Sequence, residues 1–141
     1  MYKNILIPID LKHESSWQRA LPIALVEARH SGAQLHVVTV IPAVDMLLTA
    51  VHLPKDFNRK QREQASHQLA ELVKKEVPDD ISVRQTVKEG SVYREILHEA
   101  DDVNADLIVM ASHRPELKDY LLGLNAARIV RHADCSVLVV R

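Results

Sequence analysis

Glycine is scarce in this sequence: Gly32, Gly90 and Gly123 are the only three in 141 residues. Neither GxGxxG nor GxxxxGK followed by Ser or Thr can be written with them, so a dinucleotide fingerprint and a P-loop are both excluded. Cysteine is scarcer still. Cys135 stands alone, which rules out an internal disulfide and suits a reducing compartment. No apolar run approaches the ~20 residues that span a bilayer. The opening Met-Tyr-Lys-Asn also lacks the apolar core of a signal peptide. The expectation is a cytoplasmic protein without membrane insertion. An excess of one charge is missing too: 19 acidic against 18 basic side chains leave -1. No overall field therefore draws the chain to nucleic acid, and any anion site must be local.

What is present is the material of a packed core. Apolar residues make up 47% and charged residues 26%, the ordinary globular range. Ile5 to Ile9 is a nearly continuous apolar run closed by Pro8 and Asp10, the pattern of a strand covered on both faces. Leu35 to Ile41 reads as a second buried strand, Leu107 to Ala111 as the most apolar and hence a central one, and Val137 to Val140 as a last. Ile81, Val83 and Val87 alternate with polar neighbours, so the strand they form has one wetter face and belongs at an edge.

Between these runs apolar residues recur at helical spacing. The first set is Trp17, Ala20, Leu21, Ala24, Leu25 and Ala28, with Ser15 or Ser16 as a cap, Pro22 as a kink and Gly32 as a stop. Ala65, Leu69, Leu72, Val73 and Val77 form the second, ended by Pro78. Val92, Ile96, Leu97 and Ala100 give a third, and Ala126, Ile129, Val130 and Ala133 a fourth. Strand and helix alternate throughout, which predicts an α/β fold: an open, doubly wound, parallel five-stranded sheet with four helices, one domain over residues 1–141. The segment Pro42 to Phe57 is long for a connection and holds Met46, Leu47, Leu48, Val51 and Leu53, so it is expected to cover something.

In such sheets ligands sit beyond the C-terminal ends of the strands, where strand order reverses. The first strand ends at Pro8-Ile9-Asp10, and position then brings Asp10, Val40-Ile41-Pro42, Gly90-Ser91 and Ser112-His113-Arg114 around one crevice. Gly123 falls just before the fourth helical pattern, where a missing side chain lets a phosphate approach backbone amides at a helix start. Asn125 is either the cap of that helix or an amide donor to the phosphate, and Arg114 either a solvated loop charge or a guanidinium for the same anion. Asp10 is either a helix cap or an acceptor for a ribose hydroxyl. Ser112 and His113 are sequence neighbours whose side chains would not face each other, so no catalytic triad is expected. Histidines 13, 30, 36, 52, 67, 98, 113 and 132 form no ligating pattern for a transition metal. Cys135 reads as a small core residue.

Over its whole length the chain resembles the universal stress proteins. The resemblance rests on Ile5-Leu6-Ile7-Pro8-Ile9-Asp10, on Val109-Met110-Ala111-Ser112-His113, and on Arg131-His132-Ala133-Asp134-Cys135-Ser136-Val137-Leu138-Val139-Val140. The block Ala111 to Pro115 with Tyr120-Leu121-Leu122-Gly123 is similar to the branch containing universal stress protein F. Nucleotide-binding members carry G-x2-G-x9-G followed by Ser or Thr. Here Ala111 and Arg114 replace the first two glycines, eight residues separate Arg114 from Gly123, and Leu124 stands at the hydroxyl position.

The resemblance implies a Rossmann-like fold of the adenine nucleotide alpha hydrolase kind and an ATP-binding stress regulator with at most slow hydrolysis. It puts adenine against Ile9 and the backbone at Val40, ribose near Asp10, and phosphates near Arg114, Gly123, Asn125 and Ala126, with Ala111 and Ser112 as the floor. Magnesium would arrive with the nucleotide. The last strand, Ser136 to Arg141, has no following helix and implies a homodimer through its apolar edge, with a further protein partner unidentified. The alternative is a dimeric interaction protein of the same family that has lost the nucleotide.

Overall fold

The structure, a computed structural model, describes residues 1–43, 56–112 and 121–141, with side chains in the last stretch from Asn125 onward. Strand β1 (Asn4–Pro8) leads through a 3-10 turn (Glu14–Ser16) into helix α1 (Ala20–Ser31) and strand β2 (Gln34–Pro42). There follow α2 (Phe57–Glu76), β3 (Val83–Gly90), α3 (Val92–Asp102), β4 (Leu107–Ala111), α4 (Leu121–His132) and β5 (Ser136–Val140). The strands are parallel in the order β3-β2-β1-β4-β5. This is the expected doubly wound α/β sheet, with β1 at its centre, β4 beside it and the wetter β3 at an edge.

Side chains alternate across the sheet, and each face buries its own layer. Ile5, Ile7, Leu35 and Val37 pack against Leu21, Ala24 and Ala28 of α1 and Leu69 and Val73 of α2. On the opposite face Leu6, Val38, Ile108 and Met110 meet Ile96 and Ala100 of α3 and Ala126 and Ile129 of α4. Burying one such Leu or Ile side chain stabilises by about 1.5–3 kcal/mol, so these two layers fix where the strands end.

Local departures from the sequence reading have local causes. Neither Ser15 nor Ser16 caps α1, because both fall at the 3-10 turn before the helix and the residue preceding α1 is Arg19. Pro22 lies in the first turn of α1, where its missing N–H breaks no intrahelical bond, so it needs no kink. Gly32 stops α1 as expected: it adopts φ 67°, and its N–H donates to the Ala28 carbonyl. Helix α2 begins at Phe57, well before the apolar period starts at Ala65, since the intervening residues are polar on every side. Helix α4 begins at Leu121, carried upstream by the strong helix formers Leu121, Leu122 and Leu124. Gly123 is therefore within the helix instead of ahead of it, and Asn125 is an interior residue, not the cap. The segment expected to cover something falls largely at residues 44–55, outside the described residues.

Candidate functional site

The topology opens a crevice beside β1, whose connection runs to β2 on one side while β4 lies on the other. Among the described residues β1 pairs with β4 only through Ile5–Leu107 and Leu6–Ile108. Toward β2 the pairing continues further: the Ile9 N–H donates to the Val38 carbonyl at 2.8 Å, one residue past the strand's end. Pro8 and Ile9 are buried there, and Asp10 emerges at the rim.

Asp10 is held by its own loop. Its backbone N–H donates to Ser16 Oγ at 2.9 Å, and that hydroxyl lies 2.7 Å from the His13 carbonyl and 3.0 Å from the Asp10 carbonyl. Ser16 is fully buried, so the loop closes around a single hydroxyl. The carboxylate accepts the Lys12 N–H on Oδ1 at 3.0 Å and faces His13 Nδ1 from Oδ2 at 3.1 Å. Asp10 is thus an Asx-turn residue and not the cap of α1. An ionised carboxylate has about four acceptor positions, so both oxygens retain capacity toward the crevice.

Beside Asp10 lies a cavity of about 270 Å³. Asp10, Leu11 and Lys12 form one side, Thr39 to Pro42 at the tip of β2 form the floor, and Gln61, Gln64, Ala65 and Gln68 of α2 form the far wall. Among the described residues of that lining, Lys12 is the only cation and Asp10 the only carboxylate. The sequence reading anticipated Asp10 and Val40 but missed the three glutamines. They lie in the run Asn58 to Gln68, whose one apolar residue, Ala65, gives little contrast to mark which of its polar neighbours face inward.

Among the described residues, the other expected site residues on β4 and α4 are not in the lining of this cavity. Ala111 is buried among side chains under α3 and α4, and the Ser112 N–H donates to the Val140 carbonyl at 2.8 Å. Neither lines the cavity. Ala126 belongs to the same buried layer, and Asn125 beside it is half-buried. His113 and Arg114 lie outside the described residues. Cys135 is half-buried, and desolvation pushes its thiol pKa up, which disfavours the reactive thiolate.

With this geometry in place, comparison with known proteins gives a consistent answer. A model of the universal stress protein family matches residues 1–141. Universal stress protein G of Escherichia coli O157:H7 is 31% identical over 145 residues, covering 100% of both chains. A putative universal stress protein of Staphylococcus epidermidis is 35% identical over 147 residues, covering 99% of this chain and 84% of its own. These relatives bear the name G or none, so the kinship with protein F read from the Ala111 to Pro115 block is not supported by them. Among solved structures, universal stress protein UspA from Lactobacillus plantarum superposes with a TM-score of 0.74 at 23% identity, covering 99% of this chain and 98% of that one. The universal stress protein from Archaeoglobus fulgidus in complex with dAMP gives 0.66 at 20% identity, with 99% and 98% covered. A universal stress protein in complex with cAMP gives 0.62 at 21% identity, with 99% and 97% covered.

Proposed function

The chain belongs to the universal stress protein family, and from that premise we propose that it binds an adenine nucleotide, ATP in particular, at the strand tips. It acts through the bound state as a dimeric, cytoplasmic stress regulator. The observation that carries this reading is the cavity between Asp10 and the tip of β2, which offers an apolar floor at Val40 and Ile41 beside a carboxylate held in place. Solved relatives in complex with dAMP and with cAMP support the choice of an adenine nucleotide.

In this arrangement the base lies against Ile9 and Val40, and a ribose hydroxyl donates to Asp10. The phosphates extend toward β4, where Ala111 and Ser112 end the strand and His113, Arg114, Gly123, Asn125 and Ala126 follow along the chain. The described residues gather no group of three carboxylate, histidine or cysteine ligands. Magnesium, a hard cation satisfied by phosphate oxygens and water, would come with the nucleotide. Turnover is at most slow, because among the described residues the cavity's carboxylate, Asp10, is held by its own loop and faces His13, which does not line the cavity.

Dimerisation has its own support. Among the described residues strand β5 pairs with β4 alone, and Leu138 on it and Val130 on α4 stay 41% and 53% exposed. An apolar open edge of this kind is a template for a second copy. Among the described residues no helix is long and apolar enough to cross a membrane.

Calorimetric titration with ATP, ADP and AMP, each with magnesium, tests the proposal. Binding at micromolar to sub-millimolar nucleotide is expected, with a loss of about tenfold in Asp10→Ala, the scale of a charge-assisted hydrogen bond. No heat at millimolar nucleotide would leave the non-binding interaction protein as the better reading.

A further inference from the structure

We propose that Gln61, Gln64 and Gln68 of α2 form the wall that reads the base and sugar of the bound nucleotide, an inference that rests on the nucleotide reading above. Their spacing of three and four residues places all three on one side of the helix. That side also carries Ala65, which is buried at the same cavity.

Three features assign the wall to the nucleoside and not to the phosphates. First, the wall is neutral: the one cation among the described residues of the lining, Lys12, stands on the opposite loop. Phosphate recognition uses cations or helix-start amides, and these side chains lie beyond the first turn of a 20-residue helix. Second, each amide offers two donors and an acceptor, the mixed set found along the edge of a heteroaromatic base and on sugar hydroxyls. Third, none of the three side chains makes a hydrogen bond to another described residue, so all their polar capacity is open to a ligand. Gln64 and Gln68 are exposed and Gln61 half-buried, so water satisfies them in the free protein. Ala65, the one alanine of that wall, adds only a methyl group beside the apolar floor at Val40 and Ile41 and so leaves room for a ring.

The test compares adenosine with ATP and magnesium in calorimetric titrations of the unaltered chain and of Gln64→Ala/Gln68→Ala. Alanine is the better helix former at exposed positions, so the unfolding midpoint is expected to stay unchanged. The double variant should lose affinity for both ligands by the same factor, about tenfold, or about 1.4 kcal/mol. Gln64→Met/Gln68→Met, which keeps the length without the amide, should show the same loss. Unchanged affinity in a folded variant overturns the inference while leaving the nucleotide reading intact, and so does restoration of binding by methionine. A loss several-fold larger for ATP than for adenosine would move the wall to the phosphate side and also overturn it. If neither ligand binds the unaltered chain, the nucleotide reading fails and this inference with it.

Discussion

Replacing Ser16 with alanine probes the device that holds Asp10 in place. The buried hydroxyl accepts the Asp10 N–H and donates to a carbonyl of the same loop. The carbonyls do not depend on it, because His13 N–H donates to Asp10 O and Ser16 N–H donates to His13 O, each at 3.0 Å. Ser16→Ala therefore leaves one orphan, the Asp10 N–H, in a part-buried site. Stranding a buried donor costs about 1–3 kcal/mol. For a chain of this length each kcal/mol shifts Tm by about 4 °C, so a drop of about 4–12 °C is expected. Urea unfolding should show the same loss with an unchanged slope, since the surface exposed on unfolding is the same. Ser66→Ala, on the exposed side of α2, serves as the control and should be neutral or slightly stabilising, because alanine favours helix. A Ser16→Ala loss below about 0.5 kcal/mol would refute the reasoning, since it would mean that the loop re-forms without the hydroxyl.

Further outcomes follow from groups away from the cavity. His36 is buried; desolvation lowers its pKa, with Glu99 opposing and Arg84 adding to the shift. Below the usual histidine value of about 6.5 the unfolded chain then holds more protons than the native one, so stability falls as pH drops through that value. The slope of stability against pH between about 5 and 7 should be shallower in His36→Gln, and equal slopes would contradict the assignment. Lys88 lies 3.4 Å from the buried Glu99 and 3.0 Å from Asp102. Lys88→Met should destabilise by about 1–3 kcal/mol, discounted because Lys88 is itself partly exposed; chemical denaturation reads the loss, and no change would mean that Glu99 is solvated without it. Leu138→Arg on the open β5 edge should shift the chain from dimer to monomer in sedimentation. An unaltered chain already monomeric at micromolar concentration would sink the dimer proposal.

The order of elements was legible because the buried strands contrast with everything around them. Leu107 to Ala111 can hardly be anything but an interior strand, and the wet alternation around Val83 and Val87 put β3 at an edge, where it lies. Less was legible where polar residues take structural roles. Asp10 looked equally like a cap and a ligand, and only the fold shows its turn bond to Lys12 and its clasp through Ser16. The three glutamines carried only the signal of Ala65 beside them, since in an otherwise polar run the residues facing a cavity resemble those facing water. Gly123 misled for a related reason: glycine suggests an interruption, but three leucines around it favour helix strongly enough to begin α4 earlier.

The central claim, that an adenine nucleotide occupies the cavity between Asp10 and α2, is tested most directly by following backbone amide resonances while ATP with magnesium is added. The account predicts saturable shifts at Asp10 to His13, at Thr39 to Ile41 and along Gln61 to Gln68. No shifts at millimolar nucleotide, or shifts confined to surfaces away from these three segments, would contradict it.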